Sequence, residues 1–281
     1  IITASGDIQL AAPRDVIIRA TVQSGDSFVT LTADQTLGGM PDDGNGGVLI
    51  EGMGFVQAAT DITLTGANLF NDGNTADFGM PADTLESVVV DPDNVDPMNA
   101  QIDAGGNITL ESEATMTPAG ADIIINGVVN GTGSGTTTSI DAAQNTLLGN
   151  DVTGTNNVDF NDNVLVTADV LVSGTNVDFD LALDDDGNGG TDSNVTVNGS
   201  GTTTFTGAVG ATNDLSSLTT DATGDTQING GSVDTTGTQT YNDDVTLGMN
   251  TVLTGTTISF GDTVDAATAA TQSLTITGDA V

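Results

Sequence analysis

Short apolar pairs, each introduced by a turn-forming residue, recur along the chain. The phrase consists of an Asp or Asn, an apolar residue, any residue and a second apolar residue. It occurs at Asp7–Leu10, Asp15–Ile18, Asp61–Leu64, Asn107–Leu110, Asp122–Ile125, Asn163–Val166, Asn194–Val197 and Asp244–Leu247. A strand that points only two side chains inward cannot form a core alone, so many such strands must stack on one another. The pattern therefore predicts a β-solenoid.

A longer phrase returns in the C-terminal half: a Gly, a Thr-rich stretch, an aromatic residue, a three-residue turn and an aliphatic residue. The turns are rich in Asp, Asn and Gly, which favour a tight connection between strands. Consecutive copies begin at Gly154 and Gly174, and at Gly237 and Gly255, which predicts a coil of roughly 20 residues. The aromatic and aliphatic pairs are Phe160 and Val164, Phe179 and Leu183, Phe205 and Val209, Tyr241 and Val245, and Phe260 and Val264.

These copies predict which side chains face the core. We expect Val164, Val209, Val245 and Val264 to point inward as equivalent positions of the stack. Asp162 and Asp243, which lie in the intervening turns, are expected at positions that tolerate a charge.

Two other folds compete with the solenoid. Residues four apart also share one face of a helix, but the intervening Asn, Asp, Gly and Thr are poor helix formers. A β-sandwich, or a tandem array of small sandwiches, is the more serious alternative, yet such domains need about 100 residues and a few large buried aromatics. This chain has no Trp and one Tyr, and its repeat is far shorter. We therefore expect an all-β fold, a parallel β-helix of roughly 20-residue coils.

The strand phrases are spaced less regularly in the N-terminal part of the chain than in the C-terminal part. Residues 1–128 carry strand phrases separated by longer loops at 38–47, 70–83 and 91–99, whereas residues 150–281 are more regular. The Gly-, Ser- and Thr-rich stretch 130–144 is interpreted as a further coil, with a linker between two domains as the alternative. We expect residues 1–281 to form one continuous β-solenoid, a fragment of a longer polypeptide. Because no run of 18 apolar residues occurs, no membrane insertion is expected.

Charge and composition narrow the chemistry. The chain has 39 acidic residues, two basic residues, Arg14 and Arg19, and no His or Cys. Acid–base and nucleophilic catalysis usually draws on His, Lys, Cys or an activated Ser, so we expect no enzyme activity. A formal net charge of −37 argues against nucleic acid as a partner, since binding a polyanion relies on Lys and Arg. The same charge calls for cations, either as screening salt or as bound divalent ions.

The strongest local motif is the acidic loop at 183–192, LDDDGNGGTD. Asp184, Asp186 and Asn188 alternate as oxygen donors, and Asp192 follows at the ninth position counted from Asp184. This order is similar to the opening of an EF-hand loop and predicts a Ca²⁺ site. Val195 stands at the twelfth position, where a bidentate Glu would complete that loop, so the expected affinity is modest. The alternative is a solvated acidic turn.

Three other acidic loops are weaker calcium candidates. They offer oxygen donors at short intervals, but none contains the nonapeptide of secreted calcium β-rolls, so any calcium is expected on loops and not between every coil. Their candidate ligands are Asp42, Asp43 and Asn45; Asp72, Asn74 and Asp77; and Asp91, Asp93 and Asp96.

Four phrases share the order of glycine, polar residues and alternating apolar residues: ITASGDIQLAA (2–12), IDAGGNITLES (102–112), TGTQTYNDDVTLG (236–248) and LTGTTISFGDTV (253–264). They resemble the repeats of giant bacterial surface proteins of the filamentous-haemagglutinin and adhesin type. The resemblance implies a right-handed parallel β-helix that is exported to the cell surface and acts as a stalk, adhesin or fibre. It carries over no catalytic or ligand-binding residue. The strong acidity of this chain departs from the common members of that family.

Three functional hypotheses follow. The favoured one is an extracellular structural or adhesive rod module of a cell-surface filament, stalk or matrix protein. Its expected partners are flanking coils or further copies joined end to end, with cell-surface glycans or proteins as additional candidates. The second is a self-assembling subunit of a sheath, surface layer or pilus-like polymer. A polysaccharide-active β-helix enzyme is less favoured, because the chain has few cations and few aromatic residues to hold a sugar.

Overall fold

The computed structural model describes residues 1–12, 16–33, 47–51, 53–66, 86–91, 100–112, 122–188, 190–269 and 271–281. Within these residues every regular element is a β-strand, and there is no helix that could cross a membrane. The predicted all-β class is therefore confirmed. The chain divides into two compact units, Ile1–Leu147 and Leu148–Val281.

Unit 1 is built from short strands of three to six residues. In chain order they are β1 (Ile2–Ala4), β2 (Ile8–Ala11), β3 (Val16–Ile18), β4 (Thr21–Ser24), β5 (Val29–Thr32), β6 (Val48–Glu51), β7 (Phe55–Ala58), β8 (Ile62–Gly66), β9 (Glu86–Asp91), β10 (Gln101–Ala104), β11 (Ile108–Ser112), β12 (Asp122–Ile125), β13 (Val128–Gly131), β14 (Thr137–Asp141) and β15 (Asn145–Leu148). Every third strand belongs to the same sheet, which is the topology of a coil with three faces.

The three sheets of unit 1 are parallel. The first runs β1-β4-β7-β10-β13, the second β2-β5-β8-β11-β14 and the third β3-β6-β9-β12-β15. Like side chains stack in register, as where Ile62 pairs with Ile108 and Leu64 with Leu110. In the first two sheets inward side chains alternate with outward polar ones, and in the third sheet residues 48–50 and 123–125 are buried on both faces. These stacks form the core of the unit.

Unit 2 is also built from β-strands. Its strands are β16 (Val152–Gly154), β17 (Asn157–Phe160), β18 (Asn163–Val166), β19 (Val170–Gly174), β20 (Asn176–Phe179), β21 (Leu183–Asp185), β22 (Asn194–Gly199), β23 (Thr202–Phe205), β24 (Ser217–Thr220), β25 (Asp225–Ile228), β26 (Ser232–Asp234), β27 (Thr238–Tyr241), β28 (Asp244–Leu247), β29 (Thr251–Phe260), β30 (Val264–Ala266) and β31 (Leu274–Ala280).

The sheets of unit 2 are again parallel. The first runs β16-β19-β22-β24-β27-β29, with β31 on the far side of β29, and the second runs β17-β20-β23-β25-β28-β30. The third begins with β18 and β21 and continues through single-residue bridges from Leu183 to Val209 and from Val209 to Val233. The ten-residue β29 then pairs with both β26 and β27, so the first and third faces merge in one strand. The predicted parallel β-solenoid is confirmed.

The register of unit 2 corrects one expectation about equivalent positions. Val164, Leu183 and Val209 do follow one another in the third sheet, but Val245 and Val264 pair with each other in the second sheet. The repeated phrase therefore serves two different corners of the coil. In its first three copies the aromatic residue ends a second-sheet strand, and in its last two copies it ends a first-sheet strand.

The inward direction of these positions is largely as predicted. Val164, Val209 and Val245 are buried, whereas Val264 is half-buried. The turn residues Asp162 and Asp243 are also buried, since both are only 3% exposed. Asp243 accepts hydrogen bonds from Thr220 and Thr226 of the preceding coil, so a residue that lies in a turn of the sequence becomes interior in the stack.

Candidate functional site

The predicted calcium loop begins inside a strand. Asp184 and Asp185 belong to β21, and each is 5% exposed. Asp186 and Asn188 follow in the connection to β22, where Gly187 takes a left-handed conformation with φ of 66°. The loop therefore offers its first carboxylates to the interior of unit 2 and its later ones to solvent.

Each carboxylate of the loop accepts hydrogen bonds from a different neighbour. Asp184 Oδ1 accepts from the backbone N–H of Thr212 at 3.0 Å. Asp186 accepts from both the backbone N–H and the side-chain amide of Asn188, at 3.1 and 2.9 Å. Asp192 accepts from the hydroxyl of Thr236 at 2.9 Å. Of the four predicted ligands, Asp186 and Asn188 are thus hydrogen-bonded to each other, whereas Asp184 and Asp192 are each held by a residue outside the loop.

Asp185, which the sequence motif did not single out, organises the loop. One of its oxygens accepts from the N–H of Gly187 at 3.0 Å, and the other accepts from the N–H of Ser193 at 2.9 Å. The carboxylate therefore ties the two ends of the connection together. A sequence signal was present, since three consecutive aspartates offer two registers, but alternation from Asp184 favoured the other one.

An open cleft of about 370 Å³ lies beside this loop. Among the described residues no three acidic side chains lie close enough together to hold one metal ion. Calcium binding at the loop therefore stays a prediction. Asp185, Gly187, Asp192, Thr212, Asn213, Asp214 and Thr236 line the cleft.

The weaker calcium candidates fall mostly outside the described residues. Asp91 is the last residue of β9, and only its backbone is described. The candidates that lie outside the described residues are Asp42, Asp43, Asn45, Asp72, Asn74, Asp77, Asp93 and Asp96.

A second groove, of about 340 Å³, crosses the first sheet of unit 1. Its wall is a ladder of side chains on successive turns, in which Gln23 donates to Gln57 and Gln57 donates to Asp103. Small residues such as Ala58 and Gly105 leave room beside the ladder. Sequence reasoning missed this groove because its residues lie 34 and 46 positions apart and meet only through the coil.

Two aspartates with a raised pKa, the buried Asp122 and the half-buried Asp159, form a third group of polar sites. Asp122, at the start of β12, accepts from the backbone N–H of Asn145 at 3.0 Å and from its side-chain amide at 3.3 Å. Burial raises the pKa of Asp122 to about 6, although the two hydrogen bonds from Asn145 act to lower it. Asp159 on β17 is half-buried, and this partial burial raises its pKa, assisted by the charges of Asp178 and Asp180. In both residues burial, which disfavours the charged form, is the largest cause of the shift in pKa.

The fold places the chain among the parallel β-solenoid repeat proteins. Comparison with known proteins found no matching family model, no matching curated protein and no matching solved structure. The resemblance to filamentous-haemagglutinin and adhesin repeats beyond the solenoid itself stays a prediction.

Proposed function

We propose that this chain is a structural and adhesive rod module of a filament, stalk or matrix protein that works outside the cell. The observation that carries the proposal is the stacking of like side chains turn upon turn. The rings of Phe160 and Phe179 stack 5.0 Å apart, and those of Phe179 and Phe205 stack 5.5 Å apart. A fold whose turns bury one another gains length by adding repeats and needs no new core.

The outward side chains support the same role. On the second sheet of unit 1, Thr30, Thr63 and Thr109 follow one another in register. On the second sheet of unit 2, Asp159 pairs with Asp178 and Asp225 with Asp244. A surface of hydroxyls and carboxylates hydrates readily, and its net charge keeps neighbouring chains apart. Such a surface suits a module that is exposed to solvent along its faces.

The acidic loop adds a proposed cation to this role. We propose that the loop from Asp184 to Asp192 takes up Ca²⁺ with modest affinity when the surrounding concentration is high. In support, the cleft beside it is lined by Asp185, Asp192 and Asp214, and residues 148–281 contain no basic side chain to neutralise them. Because the carboxylates already engage other partners, the loop must rearrange as the ion enters.

The structural part of the proposal is tested by stretching single copies of the purified chain between tags at its two termini. We expect unfolding in several steps, because each turn is held chiefly by its neighbours. Unfolding in one event at low force would contradict a module that withstands tension. The matched variant Val209→Asp, which places a charge in the third-sheet stack, should remove the steps contributed by the turns around it.

The adhesive part is tested with beads that carry the chain, presented to cells and to immobilised polysaccharides. We expect retention that free chain in solution competes away. Two other outcomes would replace the proposal. Turnover of a polysaccharide would favour the enzyme hypothesis, and concentration-dependent polymer growth in sedimentation would favour the self-assembling subunit.

A further inference from the structure

Asp243 bridges two neighbouring turns in the interior of unit 2. It lies at the corner between β27 and β28 and is 3% exposed. Its Oδ1 accepts a hydrogen bond from the Thr220 hydroxyl at 2.9 Å, and its Oδ2 accepts one from the Thr226 hydroxyl at 2.8 Å. Both threonines are fully buried at the corner between β24 and β25. One carboxyl group thus joins the corner of one turn to the corner of the next.

No basic side chain can pair with this carboxyl group, because residues 148–281 contain no Lys, Arg or His. Every titratable group on the elements packed around it is acidic or phenolic. Burial raises the pKa of Asp243, and the charge of Asp221 raises it further. The hydrogen bonds from the two threonines and from its own backbone N–H act in the opposite direction and lower the pKa, but burial is the largest effect. The groups concerned are Asp221 beside β24, Asp225 on β25, Tyr241 on β27, Asp244 on β28, Asp262 before β30 and Asp265 on β30.

The two hydroxyl partners let the corner work in either protonation state. A threonine hydroxyl donates to a carboxylate and can rotate to accept from a carboxylic acid, whereas a backbone N–H only donates. Asp185 shows the contrast, since its carboxylate is held by the backbone N–H groups of Gly187 and Ser193. Because both hydroxyl groups can reverse direction, proton uptake by Asp243 keeps the hydrogen bonds to Thr220 and Thr226. Asp243 therefore differs from Asp185 in that hydroxyl groups, and not only backbone N–H groups, hold its buried carboxyl group.

We propose that the corner at Asp243 is an acid-strengthened clamp between two turns of unit 2. When Asp243 takes up a proton, the buried charge disappears while the hydrogen bonds to Thr220 and Thr226 persist with their directions adjusted. The clamp therefore holds more firmly in mildly acidic surroundings than at neutral pH. This property is independent of whether the chain is adhesive, because it concerns the fold alone.

The sign of the effect follows from linkage. The pKa of Asp243 is higher in the folded chain than the ordinary value of 3.8, so folding favours the protonated form. The stabilisation is fully present below that ordinary value and is lost as the pH rises through the raised, folded-state pKa. Neighbouring Asp244 has the opposite behaviour, because the side-chain and backbone hydrogen bonds from Thr263 lower its pKa. The two adjacent aspartates make a matched pair for a test.

The experiment uses the full 281-residue chain at fixed high salt, which screens general repulsion among its many acids. Unfolding temperatures are measured between pH 4 and pH 8 for the unmodified chain, Asp243→Asn and Asp244→Asn. Asn at 243 imitates the neutral acid, so it should raise the unfolding temperature at pH 8 and flatten the pH dependence. Asn at 244 removes a hydrogen-bonded exposed carboxylate and should lower the unfolding temperature at neutral pH.

Two results would overturn the clamp. One is an equal rise for both variants at pH 8, which would mean only relief of general repulsion. The other is a loss of stability in Asp243→Asn at every pH. Carboxyl-carbon NMR of the unmodified chain provides a reading that needs no variant: a titration midpoint of Asp243 at or below its ordinary value would contradict the proposal.

Discussion

Single side chains in this molecule draw their surroundings from the turns above and below them, not from their neighbours in sequence. Asp162 and Asp243 illustrate this, because each follows an aromatic residue and an Asn in a segment that looks like an exposed turn. Both are buried by the stacking of turn on turn. Local sequence shows where a turn occurs but not how closely the next turn covers it, so their burial could not be predicted. The inward direction of Val164 and Val245 could be predicted, because alternation along a strand fixes which side chains share a face.

The stacked phenylalanines should contribute strongly to stability at this scale. Phe179 lies between Phe160 and Phe205 and is 1% exposed, so Phe179→Ala leaves a cavity with rings on both sides. We expect a loss of about 3–5 kcal/mol in the free energy of unfolding, measured by denaturant titration. The control is Phe260→Ala, at a half-buried ring that stacks only on Tyr241 among the described aromatics. Equal losses for the two variants would contradict a stack that is tightest in its middle.

Asp122 gives unit 1 a pH dependence that can be measured. Its pKa rises from 3.8 to about 6 in the folded chain because it is buried. The protonated form therefore favours folding, and this stabilisation is complete below about pH 4 and lost as the pH rises through about 6. We expect the unfolding temperature to fall between pH 4 and pH 7, and Asp122→Asn to reduce that fall. Asp141→Asn, at an exposed position of β14, should leave the fall in unfolding temperature unchanged. No difference between the two variants would refute this assignment.

At the scale of strands and corners, close stacking restricts what a corner residue can be. Between the second and third sheets of unit 2, a Cβ at Gly207 would lie 2.1 Å from the carbonyl oxygen of Leu181, and a Cβ at Gly230 would lie 1.9 Å from that of Gly207. Glycines at these corners let one turn lie directly on the next. The sequence shows the glycines, but only the coil register shows which of them touch.

This contact predicts different effects for two glycine substitutions. Gly207→Ala should destabilise unit 2, because the new methyl group meets backbone atoms that cannot move aside. Gly190→Ala, at a position with nothing within 4 Å of the added Cβ, should be nearly neutral. Thermal unfolding followed by circular dichroism compares them. A neutral Gly207→Ala would show that the corners are looser than described.

At the scale of the whole molecule, net charge opposes the stacking that the core favours. The chain carries a formal charge of −37, and the described part contains a single ion pair, between Arg19 and Glu51. The solenoid class could be predicted because a short repeat of apolar pairs has few other ways to bury itself. The sequence does not predict how the oxygen donors of the proposed calcium site are oriented, because a ligand motif gives their order along the chain and not their direction in space. Asp185 and Asp214, which line the cleft, were missed for that reason.

Calcium is therefore expected to stabilise the folded chain by relieving the repulsion among the carboxylates of the loop from Asp184 to Asp192. We expect Ca²⁺ to raise the unfolding temperature with a dissociation constant of roughly 10⁻⁴ to 10⁻³ M, the range of extracellular modules. Changing Asp184 and Asp186 together to Asn should remove the calcium-specific part of the rise and leave the part due to general screening. Equal responses to Ca²⁺ and to a monovalent salt at matched ionic strength would leave only a solvated acidic turn.

The central claim is that stacked parallel turns hold the fold, so that a fault in one turn spreads to its neighbours. Val209 is 1% exposed and bridges Leu183 on one side and Val233 on the other. Hydrogen–deuterium exchange of Val209→Asp, compared with the unmodified chain, tests the claim most directly. We predict faster exchange in β21 and β26 as well as at the substitution, with β28 and β30 less affected. Exchange that changes only around residue 209, or not at all, would contradict the stack.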